Sequence, residues 1–442
     1  VLPVSTSKTP FWNWLDRAQD SRGVPLPVKS GAAQNADTVC VGIDVGGANL
    51  KFAVVGKRFS LDENDSSAAG NGNGNGNGNA GNAGNAGNAG NVGNASDKTF
   101  GADRGRSVPF ALWKNPEGLA GALVEAISQL GLMGSDRVVF GVTMTGELAD
   151  CFATKAEGVR RIVQECESTL GQFGSSIEYY SQSATDFDSA SGSTLFVGAN
   201  QAIENWSGVA AANWHALATL VSCWMEQSNS HTPPLWAANG LVLDLGSTTL
   251  DLTPIQSAKV AGGKVDYDRL GDGQLVYTGV GRSPLSCILP EIEFQTKRIS
   301  LAQELFATSA DIYLVTGDVR EDPTDLNTAD GRPATIQCAT QRIARMFCSD
   351  ASELPVGLIQ AVALQAKESQ LSTIQAAIKQ RLLSDLAIGW IAICGQGEFL
   401  LRQAIQRCGF DGPVIGLSEQ LGAEFSPVAP AFAVAALLKR QG

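Results

Sequence analysis

The feature that most constrains this chain is an internal repeat. A hydrophobic run from Val39 to Val45 carries Asp44 near its end, passes Gly46 and Gly47, and resumes as an apolar run from Leu50 to Val55. Leu241 to Asp244, then Gly246 to Thr249, then Leu250 to Thr253 repeats that layout, with Asp244 lying 200 residues after Asp44. Short apolar runs interrupted by glycine read as strand, tight turn, strand. Two such hairpins, each with an Asp at a strand end, predict two α/β halves built on one plan.

The rest of the chain fills in that plan. Leu119, Ala122, Leu123, Ala126, Ile127 and Leu130 recur at helical spacing. Val138 to Met144 reads as a buried strand, Leu195 to Gly198 as a short one, and Trp214 to Met225 as a buried helix. In the second half, Leu275 to Thr278 and Ile312 to Thr316 read as strands, and 336–348, 357–365 and 373–385 as helices. Trp390 to Cys394 reads as a strand entering Gly395, Gly397 and a helix from Glu398. Val414 to Gly416 is a short strand and Ala429 to Leu438 a last apolar helix. The expected division is an extension over 1–37, a first α/β domain over 38–238 and a second over 239–442, with the last helix packing back toward the first domain. Phe11, Trp12 and Trp14 suit a short helix anchored on the main body. The Gly-Asn and Gly-Asn-Ala repeats of 68–96 offer no apolar area to offset the entropy of ordering them. With their flanks they read as a disordered insertion at about 59–103, after which the strand resumes near Val108 to Trp113.

Composition excludes several function classes. A formal net charge of -12 disfavours nucleic acid as a partner. No apolar stretch is long enough to cross a bilayer, and Val1 to Pro10 lacks the basic-then-apolar layout of a signal peptide. A cytoplasmic protein without a membrane partner is expected; the oligomeric state, homo-oligomer included, stays open. Nine scattered cysteines without a CxxC pair read as reduced, buried thiols. Only two histidines exist, His215 on a helix surface and His231 in a loop by pattern, so a zinc site or Ser-His-Asp triad is disfavoured. Proton transfer then falls to carboxylates, lysines or the substrate.

The two turns carry chemistry as well as topology. Glycines in a tight turn let backbone N–H groups approach phosphate oxygens. Gly46, Gly47 and Asn49 supply this in the first turn, and Gly246, Ser247, Thr248 and Thr249 in the second. Lys51 can offset phosphate charge, and Asp44 and Asp244 are placed to hold a divalent metal, taken as Mg²⁺. One such turn alone is equally an ordinary hairpin. Two, followed by Ile393 to Leu400 with Gly395 and Gly397 and by the small-residue segment Pro430 to Leu438, resemble the actin/Hsp70/sugar-kinase superfamily. That resemblance implies a two-domain, ribonuclease H-like α/β fold around a central cleft.

Further segments narrow it. Gly42 to Lys51, Met144 to Phe152, Gly279 to Leu285 and Asn327 to Pro333 resemble a group of hydantoinase/oxoprolinase-like proteins. That group belongs to the tetrahydromethanopterin-linked one-carbon transfer pathway and is similar to a methanofuran-biosynthesis family. The resemblance covers about 38–57 and 108–440. It implies a transferase that joins the phenol of γ-glutamyltyramine, a phenolic amine, to a phosphorylated small molecule, an aminomethylfuran methyl diphosphate. Diphosphate leaves and an aryl ether forms. Use of ATP stays open, because Ala48 and Asn49 stand where many superfamily members carry Thr or Ser. The phenol needs a base, for which Glu147, Asp150, Asp251 and Asp330 are candidates. Glu147 is preferred because it follows a buried strand. Arg282 and Arg332, beside glycines, could clamp phosphate or a glutamyl carboxylate, or form an interdomain ion pair. The alternatives are an ATP-dependent kinase or oxoprolinase-like hydrolase, and an ATPase activator of a partner enzyme. Unclustered cysteines count against the iron-sulfur cluster that such activators often hold.

Overall fold

The computed structural model describes residues 10–15, 38–56, 104–130, 132, 137–174, 176–183, 195–228, 239–383 and 387–441. The insertion expected at 59–103 and the loop with His231 lie outside them. Strands in chain order are β1 Val39–Val45, β2 Asn49–Val55, β3 Arg104–Pro109, β4 Val138–Met144, β5 Ser176–Tyr180 and β6 Phe196–Val197 in one sheet. A second sheet holds β7 Gly240–Leu245, β8 Leu250–Gln256, β9 Lys259–Val260 and β10 Leu275–Val276. A small separate hairpin follows, β11 Glu291–Phe294 with β12 Lys297–Ser300, and the second sheet is completed by β13 Trp390–Cys394 and β14 Val414–Gly416.

The two sheets share a five-strand core order. The first runs β3-β2-β1-β4-β5-β6 and the second β10-β8-β7-β13-β14. In each, the first strand pairs antiparallel with its hairpin partner and parallel with the strand on its other side. β1, β4, β7 and β13 are near-continuous apolar runs because they are covered on both faces. The five-strand order common to the two open sheets, extended by β6 in the first and β9 in the second, is the arrangement expected of an actin/Hsp70/sugar-kinase architecture. Among the described residues no helix is long and apolar enough to cross a membrane.

Two helices, Asn213–Ser228 and Ala429–Gln441, join the halves. One core cluster includes both of them and residues from both sheets, such as Cys40, Ala53, Val242 and Trp390. The last helix lies on the first sheet because that sheet is hollowed beneath it. Gly42 of β1 pairs in register with Gly141 of β4. A Cβ at Gly42 would overlap the backbone of Ala431, and one at Gly141 the side chain of Val434. The helix answers with small residues, Ala431, Ala435 and Ala436, all buried. The N-terminal helix Pro10–Leu15 caps the same core: Phe11 packs against Trp224 and Phe432, and the Arg440 guanidinium stacks 4.2 Å over Trp14.

Three expectations need correction. Residues 312–316 belong to a helix, Ser309–Thr316. Its start is fixed by a capping box between Thr308 and Asp311 and its end by Gly317 in the left-handed region, signals that outweigh the β-branched run. The two helices expected over 357–385 are one, Leu358–Leu382. β3 begins at Arg104, earlier than expected, because an edge strand needs little apolar content and most of it is exposed.

Candidate active site

Both hairpin turns line one cavity of about 260 Å³ between the sheets. Each turn is closed alike: the Gly46 N–H donates to the Asn49 carbonyl at 3.0 Å and the Gly246 N–H to that of Thr249 at 2.9 Å. Among the described residues the Gly47, Ala48, Ser247 and Thr248 N–H groups donate to no backbone carbonyl. Register makes the likeness exact at the strand ends. Asp44 sits opposite Lys51, and Asp244 opposite Asp251. One half places a cation where the other places an acid.

That difference sets the charge pattern. Asp44 is 1% exposed; its Oδ2 lies 3.5 Å from the Lys51 ammonium, and its Oδ1 has no hydrogen-bond partner among the described residues. Burial raises its pKa, with Lys51 only partly offsetting the effect. Burial also pushes Asp244 up to about 6, again opposed by Lys51. Burial works against the Lys51 ammonium too, but Asp44, Asp244 and Asp251 outweigh it and hold the pKa above its ordinary value. Asp251 is answered by Arg269 at 2.6 Å, and Arg269 also meets Asp266 at 3.3 Å while stacking 4.0 Å over Trp214. Arg282 lines the cavity too, stacked 4.8 Å over Trp113, and no carboxylate pairs with it among the described residues.

Glu147 enters from the turn Gly146–Leu148 that follows β4. Gly158 backs this turn so closely that a Cβ there would overlap the Glu147 backbone. The carboxyl is 1% exposed, both its oxygens lack a hydrogen-bond partner among the described residues, and burial pushes its pKa up to about 7. Gly395, at φ 93°, packs against Asp244 and Leu245, and Gly397 against Leu245. Neither lines the cavity; Gln396 between them does.

Three more candidates fall outside the cavity. Asp150 is exposed outside the lining. Asp330 and Arg332 pair with each other at 2.6 Å, and Asp330 also meets Arg342 at 3.1 Å. Their segment folds on itself through short-range turns, so neither reaches the cavity. His215 is also not a surface residue: it is half-buried, 2.8 Å from the Tyr180 hydroxyl, and burial pushes its pKa down to about 4. The nine cysteines are all free thiols, but Cys287 and Cys348 are exposed where burial was expected. Sequence reasoning missed Asn213, Trp214, Asp266, Arg269 and Tyr277 in the lining. Only Arg269 left a signal, since an acid at 251 in the place of Lys51 calls for a counter-ion.

Whether the residues suit Mg²⁺ can be judged from their chemistry. Among the described residues no three His, Cys, Asp or Glu side chains converge as a ready metal cage. Mg²⁺ does not need one: it is commonly held by one or two carboxylates, waters and substrate phosphates. Asp44 and Asp244, two hard donors with raised pKa values in one cavity, fit that mode. A larger, open groove of about 1100 Å³ beside Pro254, Tyr267 and Gln274 has neither hairpin turn in its lining.

A hydantoinase/oxoprolinase family profile matches residues 139–441. A protein of Methanocaldococcus jannaschii is 29% identical over 337 residues, spanning 75% of this chain and 90% of the relative. One of Methanococcus vannielii is 30% identical over 205 residues, spanning 46% of this chain and 92% of the relative. Both are named (4-{4-[2-(gamma-L-glutamylamino)ethyl]phenoxymethyl}furan-2-yl)methanamine synthase. Among solved structures, an inorganic polyphosphate/ATP-glucomannokinase from Arthrobacter sp. strain KM aligns over 90% of this chain and 99% of its own, at 11% identity and a TM-score of 0.35.

Proposed function

The chain belongs to the hydantoinase/oxoprolinase family, and we propose that it is a transferase that forms an aryl ether by displacing diphosphate. The acceptor is the phenol of γ-glutamyltyramine, the donor an aminomethylfuran methyl diphosphate, and the setting methanofuran-type cofactor synthesis in the cytoplasm. The relatives named as methanamine synthases support the reaction class. The observation that carries the reading is the charge inventory of the cleft. Lys51 is paired with Asp44 and Arg269 with Asp251 and Asp266, whereas Arg282 lines the cavity with no carboxylate partner among the described residues.

The carbon bearing diphosphate ionises readily because the furan oxygen stabilises the cation, so the protein has two tasks. It must stabilise the departing anion and align the phenol. The Gly47 and Ser247 N–H groups, the Asn49, Thr248 and Thr249 side chains, Lys51 and Arg282 bind diphosphate oxygens, while Gly46 and Gly246 close the two turns. Asp44 and Asp244 would hold Mg²⁺, which when bound offsets charge on the leaving group. The carbon–oxygen bond to diphosphate breaks with its electron pair, the phenol oxygen bonds to that carbon, and Glu147 takes the phenolic proton. Glu147 suits this task because a base works best with a pKa near the working pH. Asp251 is a weaker candidate, being tied to Arg269.

The test is incubation with the furan diphosphate and γ-glutamyltyramine, with and without ATP, read by mass spectrometry. Ether and free diphosphate should appear without ATP. Product that forms only with ATP would favour a kinase or ATP-driven hydrolase instead.

A further inference from the structure

Gln370 lies in the long helix Leu358–Leu382, away from the cavity lining, yet it is 1% exposed and bonded on every side. Its side-chain oxygen accepts from the Tyr313 hydroxyl at 2.5 Å. Its side-chain nitrogen donates to the Thr278 hydroxyl and to the Gly279 carbonyl, each at 2.8 Å. A buried amide that uses both ends is costly to disturb, because its partners are then left unsatisfied.

What it holds is the segment that carries Arg282. The Gly279 N–H donates to the Ser283 hydroxyl at 2.8 Å, closing the segment on itself. The Val280 N–H then donates to the Gly246 carbonyl at 3.0 Å, and the Gly281 and Arg282 N–H groups to the Ser247 carbonyl at 3.0 and 2.8 Å. The fit is close: a Cβ at Gly279 would overlap the Ser247 backbone, and one at Gly281 its hydroxyl. The second phosphate turn is thus clamped from behind by 279–282, and Gln370 clamps 279–282 in turn.

We infer that Gln370 is a positioning residue for diphosphate binding, setting the second turn and the Arg282 guanidinium at one fixed separation. This rests on the reading of the cleft as a diphosphate site. The direction of each bond gives the test. Gln370→Glu, when ionised, keeps an acceptor for Tyr313 but cannot donate to the Gly279 carbonyl, and it sets an anion beside that carbonyl. Tyr313→Phe removes only the far bond.

The experiment is calorimetric titration with inorganic diphosphate and Mg²⁺ of wild type, Gln370→Glu, Tyr313→Phe, Arg282→Ala and the Gln370→Glu/Arg282→Ala pair. Thr278→Val, which deletes one of the two bonds from the other side, serves if Gln370→Glu does not fold. Gln370→Glu, or Thr278→Val in its place, should weaken binding about tenfold or more while Tyr313→Phe changes it less than about threefold. Once Arg282 is gone, the Gln370 change should add much less than it does alone, since both act through the same contact. A merely structural Gln370 would lower the melting temperature without this non-additivity. Wild-type affinity in Gln370→Glu, or full additivity in the pair, overturns the inference and leaves the diphosphate site standing. No binding by wild type sinks both.

Discussion

Glu147 links the chemistry of the site to the stability of the fold through one ionisation. Its folded-state pKa of about 7 lies above the ordinary carboxyl value, so the folded protein prefers it protonated. The stabilising effect of that neutral form is fully present below about pH 4.5 and is lost as pH rises through about 7. Glu147→Gln, neutral at every pH, should therefore melt near the wild-type temperature at pH 4.5 and above it at pH 8, by up to roughly 3 kcal/mol. A melting difference that does not change with pH would mean that the carboxylate is not destabilised by burial. Activity should move the other way. If Glu147 is the base of the proposed reaction, its loss should slow turnover about a hundredfold near pH 7 and much less near pH 10, where a phenol of pKa about 10 ionises unaided. Equal impairment at both pH values would pass the role to Asp251. At this scale the sequence was informative about the turns and about Glu147, since strand ends and glycines are local features. Asp330 and Arg332 looked alike on paper, but a polar stretch satisfied by its own turns leaves no local mark that it misses the cleft.

Elements were legible where their burial was complete on both faces. β1, β4, β7 and β13 announce themselves by apolar runs, and the hairpins by their glycines. The helix Ser309–Thr316 was not legible, because its eight residues are largely buried and show almost no amphipathic contrast. Its capping box was the better signal. The seating of the last helix depends on Gly42 and Gly141, which are side by side only in the folded sheet. Gly42→Val should cost on the order of 3 kcal/mol or prevent folding, since the obstacle is Ala431 backbone and cannot swing away. A melting temperature within a few degrees of wild type would refute that seating. The connection between β2 and β3 makes the opposite prediction. The strand ends it joins are already paired, Val54 with Arg104. Removing Ala69 to Ala95 roughly halves the chain between them, which alters closure entropy by only ~0.6 kcal/mol. Stability and turnover should stay near wild type; a collapse of either would assign the repeats a structural part.

The whole molecule is two copies of one sheet plan, turned so that each presents its strand-end acid to a common cavity. Neither half is sufficient: Asp44 and Asp244 lie 200 residues apart in the chain, and their proximity depends on the shared core formed by helices Asn213–Ser228 and Ala429–Gln441. If both carboxylates serve one Mg²⁺, then Asp44→Asn and Asp244→Asn each remove a contact that strengthens as charge grows on the departing diphosphate. Each should slow the chemical step about a hundredfold, on the order of 3 kcal/mol, while leaving the affinity for the phenolic acceptor nearly unchanged. The pair should not be multiplicative. Once one ligand is lost and the ion is loosely held, removing the other has little left to remove, so the double variant should fall within about tenfold of the slower single one. Raising Mg²⁺ should recover part of the rate in either single variant and little in the double. Single-turnover rates across a Mg²⁺ series would measure all of this. Independent, multiplicative losses of about ten-thousandfold would mean that the two acids act separately. Unchanged rates in both single variants would remove the shared metal site and bring the ATP-dependent reading forward.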